Sequence, residues 1–441
     1  MYPKDVEKLL SHMKERGISA FVVGGAVRDM IMKREPGDYD IAAECTPDEL
    51  LAAFEGYQYF DTGIRFGTLN VFSGERYTEI TCCRYESGYT DLRRPDCVEF
   101  CRDIKKDLAR RDFTVNAIAM DLEGNIIDPF GGREDIEKRI VRCVGDPRVR
   151  FPEDALRIIR ALRFASALGF EIEKDTSDAV KKMGHLLSSV SGERIFVELK
   201  KLLLGEKVFE VLMEYSGVIC EIIPELSASV GHDQKNPYHI YTVYEHIARS
   251  VAACPADVDI RLCMLFHDIG KPETFFTDEK GIGHFYGHPA VSCKMAEKIL
   301  KRLKADNKTV EHVCFLVEYH DVRPALTKKS IHKYITKTGF KGARELLEVR
   351  RADVAAQSPE LLYRFEELSA VSEMIDELEG EGACTKISDL AVNGNDLIEI
   401  GYEKGKLIGE TLSYLLKKVV SGETENERES LLRLAKRKSE K

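Results

Sequence analysis

Gly24-Gly25-Ala26-Val27-Arg28-Asp29, followed by Gly37-Asp38-Tyr39-Asp40-Ile41, is the stretch on which the reading of this chain turns. Ala20–Val23 reads as a strand entering a glycine turn, then a short helix, then a second strand carrying two carboxylates. Residues i and i+2 of a strand point to one face, so Asp38 and Asp40 are expected to project together. Two adjacent carboxylates repel unless cations sit between them, which suits a magnesium pair. The Gly24-Gly25 turn lets backbone N–H groups approach a phosphate, and Arg28 adds a fixed positive charge. A phosphate cradle beside a two-metal carboxylate pair is the equipment of nucleotidyl transfer. The plain alternative is a surface turn followed by a solvated acidic strand end.

Outward from this segment, Glu79 lies in a strand-like run, Tyr77–Thr81, that could lie beside the acidic strand. It is a candidate third carboxylate or simply a surface glutamate. Arg110-Arg111-Asp112-Phe113-Thr114-Val115-Asn116 joins guanidinium groups, an acid and an amide at the expected start of a helix. Such a cluster can hold triphosphate oxygens and ribose hydroxyls, and Arg111, Asp112 and Asn116 are its candidate residues. A structural ion pair is the competing reading. Glu153-Asp154-Ala155-Leu156-Arg157 continues to Arg160 and Arg163 along a helical edge, with Asp154 and Arg157 expected on one face as i and i+3. An Asp–Arg pair can accept from an exocyclic amino group while donating to the adjacent ring nitrogen. Cytosine and adenine present that edge; uracil and guanine present a carbonyl beside an N–H. Each mismatched group costs on the order of 1–3 kcal/mol. The bland reading is an intrahelical salt bridge worth about 0.3–0.5 kcal/mol.

The chain has 441 residues and a net charge of −10, which argues for several modules and against indiscriminate nucleic-acid binding. Apolar runs fall short of membrane-spanning length, and the first residues lack the apolar core of a signal peptide. The twelve scattered cysteines read as reduced thiols, so a cytoplasmic location with no membrane association is expected. Cys97-x-x-x-Cys101 near Cys82-Cys83 is only weak zinc spacing. Strand signals alternate with helix signals to about residue 140, and helical periodicity dominates beyond 150. Nine of the eleven histidines fall between His232 and His332. Among them His246, His267-Asp268, His288 and His320, with the distant Asp353, are drawn from separate helices and suit divalent metal with oxygen and imidazole ligands. A structural metal site is the alternative to a catalytic one. Glu377–Gly382 reads as an acidic linker, and the last unit carries turns at Gly401, Gly405 and Gly409 beside lysine-rich helices.

The ordered set Gly24-Gly25-x-x-Arg28-Asp29, Asp38-x-Asp40, Arg110-Arg111-Asp112 with Asn116, and Glu153-Asp154-x-x-Arg157 resembles the class II CCA-adding tRNA nucleotidyltransferases of the bacterial poly(A) polymerase/tRNA nucleotidyltransferase family. The resemblance covers roughly the first 165 residues. It implies that Asp38 and Asp40 hold Mg2+, that Arg111 contacts the incoming nucleotide, and that Asp154 and Arg157 select CTP and then ATP with help from Arg160 and Arg163. The partners implied are tRNA, CTP and ATP. Gly88–Pro95 resembles the loop of full CCA-adding members, whereas A-only and poly(A)-adding members are the alternative. The histidine grouping resembles the HD phosphohydrolase superfamily, implying a divalent metal of unspecified identity and phosphoester hydrolysis as a second or even the main activity. The expected class is therefore α+β multidomain: a small mixed-sheet nucleotidyltransferase head (1–140), a helical neck and body (141–232), a helical HD domain (233–376) and a helical tRNA-binding tail (383–441). Oligomeric state is left open.

Overall fold

The computed structural model describes residues 2–74, 76–87 and 97–439. They form two compact units, Met1–Ser227 and Ala228–Lys441. The architecture is α+β, with a β-sheet head and a mostly helical remainder. The Gly88–Pro95 loop lies outside the described residues.

The strands of the first unit are β1 (Ala20–Val23), β2 (Asp40–Ala43), β3 (Tyr59–Phe60), β4 (Thr68–Ser73), β5 (Arg76–Cys82), β6 (Arg84–Ser87), β7 (Cys97–Phe100), β8 (Ala119–Met120) and β9 (Ile126–Ile127). Seven of them form one sheet in the order β3-β4-β5-β2-β1-β8-β9, while β6 pairs with β7 alone. Within the large sheet β2–β5 is the parallel pairing, and the others described are antiparallel. β1 and β2 are short and apolar because both faces are covered, and Val22, Val23, Ile41, Ala42 and Ala43 are buried. Strand β4 alternates half-buried and buried residues, as expected of a strand with one face on a core. Phe21, Val23 and Ala42 pack with Ile104, Leu108 and Val144 beneath the sheet.

Beyond the sheet the unit is helical. Leu156–Leu168 carries the apolar stripe expected of it, with Leu156, Ile159, Ala161, Leu162 and Ala165 buried. Gly169 ends it in the left-handed conformation that a residue without Cβ adopts readily.

In the second unit, helices Val243–Ala253, Val258–Phe266, Asn307–Tyr319 and Lys328–Ala355 start at Thr242, Asp257, Asp306 and Thr327. Each of those side chains accepts a bond from a first-turn N–H, satisfying a donor the helix itself leaves unpaired. Of the acidic Glu377–Gly382 stretch, expected to be a linker, Glu377–Gly380 instead completes the helix Arg364–Gly380, and Glu381 and Gly382 follow as a turn. Arg344 draws Asp376 (2.5 Å) and Glu379 (2.6 Å) onto the body of the unit, and Leu378 is buried, so charge pairing and burial override the linker-like composition. The tail helices Lys406–Val420 and Arg428–Ser439 pack Leu412, Leu415 and Leu431 against Leu390, Leu397 and Tyr402.

Candidate active site

The glycine turn places the first group of candidate residues. Gly24 has φ +72° and ψ −132°, outside the ordinary range of L-residues, and precedes the helix Gly25–Ile31. A Cβ on Gly24 would meet Arg111 Nη1 at 2.8 Å, so the Arg111 guanidinium lies directly on the turn. Arg111 is held from the other side by Asp107 at 3.4 Å. Arg28 packs above Gly25, pairs with Asp29 (2.8 Å) and donates from Nη1 to Asn116 Oδ1 (2.7 Å). Gly24, Gly25, Arg28, Arg111 and Asn116 are thus one cluster.

The carboxylates stand beside it, with one departure from expectation. Asp40 opens β2, but Asp38 precedes the strand, so strand alternation does not fix its direction. Pro36 and Gly37 leave the approach irregular, and Asp38 remains exposed. The parallel register Ile41↔Ile80 sets Asp40 alongside Glu79 on the same face of neighbouring strands. Asp40's carboxyl is held above its ordinary range by partial enclosure, then by the charges of Glu79 and Asp38, with Arg111 pulling the other way. Ligand oxygens of the three do not all approach within 4.8 Å of one another. This suits Mg2+, which is typically held by one or two carboxylates together with substrate phosphates rather than by a closed protein cage. The uncompensated repulsion at Asp40 is the feature a cation would relieve.

The arginine–aspartate candidates fall into two arrangements. Arg110 and Arg111 follow the end of helix Ile104–Ala109 rather than starting one, and Thr114–Asn116 is a single 3-10 turn. Asp112 is enclosed: Arg160 pairs with it at 2.6 Å, and Phe113 N–H and Asn116 Nδ2 donate to its Oδ1. Burial opposes the charge, but the Arg160 guanidinium overrides it and brings the carboxyl down to about 2. Arg160 also pairs with the buried Glu198 (3.2 Å), as does Arg163 (2.9 Å). Burial, with Arg160 beside it, lowers Arg163 to about 10. The Phe164 ring lies under Arg28, Arg160 and Arg163. Asp112, Arg160 and Arg163 therefore form an internal ion network backing the Arg28 cluster.

Asp154 does not share a helix with Arg157. Helix Pro147–Glu153 ends there, and Asp154 is extended (φ −144°, ψ 102°) before Leu156–Leu168 begins. Pro152 within the first helix and the bond from Leu156 N–H to Asp154 Oδ1 favour the break. Asp154 faces Arg194 (3.3 Å). Arg157 is buried and donates to the carbonyls of Arg110 (3.0 Å) and Arg150 (3.4 Å) while pairing with Glu153 (3.3 Å). An intrahelical Asp154–Arg157 bridge is not what the geometry contains. Arg194 and Glu198 lie on helix Gly192–Leu203, and no local signal in the sequence ties them to residues some forty positions earlier.

The second unit gathers every histidine candidate. His246, His267 and Asp268 form one convergent group, and Asp268, His288 and His320 form another, all buried. These are the groups of this kind among the described residues; the cysteines form none. Asp268 lies 3.1 Å from His246 Nε2 and 3.2 Å from those of His267 and His288. Asp353 lies 3.1 Å from His246 Nε2 and accepts from Gln357. The other ring nitrogen of each imidazole donates to a carbonyl: His246 to Ala356, His267 to Met264, His288 to Phe285 and His320 to Val317. A carbonyl only accepts, so each of these Nδ1 atoms carries a proton and the four Nε2 atoms turn inward. Nε2 atoms then face each other at 3.2 Å (His246–His267) and 3.1 Å (His288–His320), an arrangement a bound cation would relieve. Asp268 is held well below the usual carboxylate range; burial opposes this, and His267 and Lys271 overcome it. Lys271, buried and 2.6 Å from Asp268, and the half-buried His239 were not singled out from the sequence, although Lys271 sits one turn after the His-Asp pair. An open cavity of about 240 Å³ reaches Asp268, His288, His320 and Asp353 from solvent. No helix among the described residues is long and apolar enough to cross a membrane.

Comparison with known proteins matches this layout along the whole chain. Residues 20–142 match the poly A polymerase head domain, 169–229 the probable RNA- and SrmB-binding site of polymerase A, and 277–435 a putative domain 2 of tRNA nucleotidyltransferase. The CCA-adding enzyme of Bacillus pumilus is 34% identical over 429 residues, covering 96% of this chain and 94% of its own. That of Leuconostoc mesenteroides is 33% identical over 440 residues, covering 98% and 96%. A crystal structure of the Bacillus stearothermophilus CCA-adding enzyme in complex with CTP aligns with 100% of this chain and 98% of that one, at a TM-score of 0.74 and 30% identity. The Thermotoga maritima CCA-adding enzyme complexed with tRNA shares the fold at a TM-score of 0.59 and 22% identity. Matched from end to end at a third of its positions, this chain belongs to the family of CCA-adding enzymes, and it is a nucleotidyltransferase.

Proposed function

We propose that this chain adds CCA to the 3′ end of tRNA, using CTP and then ATP and releasing pyrophosphate. The observation carrying this reading is the meeting of Asp40 and Glu79 across the β2–β5 pairing, beside a glycine turn covered by Arg111. The tRNA 3′-hydroxyl attacks the α-phosphate, and the bond from that phosphorus to the pyrophosphate oxygen breaks. Asp38 and Asp40 would hold Mg2+, which supplies a lowered hydroxyl pKa and charge balance on the leaving oxygens. Arg111 and the Gly24-Gly25 turn receive the triphosphate, and Arg28, locked by Asp29 and Asn116, fixes the position of the turn. Asp112, Arg160 and Arg163 support this cluster from behind. Asp154 and Arg157 choose the base from a hinge between two helices rather than from one helical face. Gel-resolved products on tRNA lacking its 3′ end test the reading: C, C and A added in order support it, and A-only or poly(A) products replace it.

The chain is proposed to divide into a head at 1–140, a neck and body at 141–232, an HD-type phosphoester hydrolase domain at 233–376 and a tRNA-binding tail at 383–441. Support for the hydrolase is the inward Nε2 set around Asp268. His246, His267, Asp268 and Asp353 would hold one divalent cation and His288 and His320, with Asp268, a second. When bound, such cations activate water and neutralise phosphate charge. Water oxygen bonds to phosphorus, the ester P–O bond breaks, and the leaving alkoxide takes a proton. Lys271 keeps Asp268 ionised and oriented. Metal content measured on the purified chain, lost in His267→Ala, checks the site apart from any turnover. A cytoplasmic location follows from tRNA as substrate.

A further inference from the structure

Resting on the hydrolase reading, we infer that the second site takes a nucleotide, holding its base on an aromatic platform at the mouth of the cavity. The platform comes from alternation along one short strand. Phe276–Thr277 and Gly283–His284 pair as an antiparallel hairpin, with Phe276 opposite His284. Successive side chains then part: Phe285 turns inward, where it is buried against Phe275, while His284 and Tyr286 turn outward. Phe276, His284 and Tyr286 cluster with ring centroids 5.3–5.6 Å apart, and the His284 and Tyr286 planes differ by only 18°. Tyr286 is 75% exposed and Phe276 45%.

Two observations direct this surface toward a ligand rather than toward the core. His284 and Tyr286 line the same cavity as Asp268, His288 and His320. Tyr286 is two residues from His288, whose Nδ1 donates to the carbonyl of Phe285, the residue just before Tyr286, so platform and metal candidate are tied together. The hairpin is also pinned. Gly283 N–H donates to the Lys235 carbonyl, Asn236 Nδ2 donates to the Gly283 carbonyl, and a Cβ on Gly283 would meet the Gln234 carbonyl at 2.1 Å. Asp278 holds the outward His284 ring at 3.0 Å. A large exposed ring in a rigid setting loses little freedom when a base stacks on it. Arg323 and Lys271 line the same cavity and add positive charge where a phosphate would enter. Sugar phosphates without a base match only half of this surface.

Removing one stacking ring weakens nucleotide binding by roughly tenfold. The test uses the full chain loaded with Mn2+. It compares the ratio of KM for a nucleoside monophosphate to KM for ribose 5-phosphate, alongside fluorescence quenching of a 2-aminopurine ribonucleotide. Tyr286→Ala is expected to raise the KM ratio about tenfold and to weaken quenching by the same factor. Tyr286→Phe is expected to keep both near wild type. Quenching of a mononucleotide equal to that of an oligoribonucleotide ending in 2-aminopurine supports a free nucleotide as the ligand; tighter binding of the oligonucleotide supports an RNA end. A lowered melting temperature in Tyr286→Ala with neither ratio nor quenching altered means that the rings only stiffen the hairpin, and overturns the inference while hydrolysis and metal binding stand. Tyr286-dependent quenching without any phosphoester turnover keeps the platform and removes the hydrolase.

Discussion

The two candidate centres solve opposite problems with the same side-chain chemistry. In the head, Asp38 and Asp40 are exposed, and the arginines around them are restrained by neighbouring acids and carbonyls. In the second unit a carboxylate with almost no exposed surface, Asp268, is ringed by imidazoles and Lys271. The first arrangement leaves negative charge unmatched until a substrate brings phosphates and cations with it. The second is nearly complete within the protein. Magnesium chemistry on a triphosphate needs the open form, and a resident cation needs the closed one.

That contrast can be broken most sharply at Asp40. Asp40→Ala should reduce nucleotide incorporation by on the order of 10³-fold or more while metal content of the second unit stays as in the wild type. Single-turnover incorporation alongside elemental analysis reads both, and near-normal turnover would remove Asp40 from the centre. The reciprocal change, Asp268→Asn, should strip metal from the second unit and destabilise it by about 3 kcal/mol, because buried imidazoles lose their shared charge. Denaturant melts that match the wild type would show that the carboxylate is dispensable.

Within the head, Asp112→Asn tests whether the internal network is structural. The folded Asp112 titrates at about 2, below its unfolded value of 3.8, so its contribution is present above pH 3.8 and lost as pH falls toward 2. That contribution is about 2 kcal/mol, and the variant should lack it at neutral pH and show a flatter stability profile between pH 4 and 2. Identical profiles would place the stabilisation elsewhere. The smallest effect belongs to base choice. Asp154→Ala should raise UTP use relative to CTP by roughly tenfold with little change in triphosphate affinity. An unchanged ratio would detach Asp154 from selection.

Local pattern made much of this legible. The strand–turn–helix around Gly24, the stripe from Leu156 to Ala165 and the helices bearing His246 and Asp353 follow from periodicity and turn residues. What escaped was decided by distant partners or by a break in regularity. Asp154 was expected in a helix because its neighbours have helical spacing, yet its own side chain and Pro152 favour the interruption. Asp38 was expected within a strand that begins two residues later. Glu198 and Arg194 arrive from another helix, and Glu377–Gly380 is drawn into a helix by Arg344. The pairings made by Arg194, Glu198 and Arg344 leave no mark in the sequence near their partners.

The β2–β5 pairing carries a consequence for folding order. It is the parallel contact in the head sheet, and residues 44–75 must be threaded through β3 and β4 before Glu79 can reach Asp40. Contacts of such sequence separation close late, after local turns and hairpins have formed. A nascent or partly unfolded head therefore has its glycine turn long before it has its acidic pair. The acidic pair thus reports that β2 and β5 have met, a later event than formation of the turn.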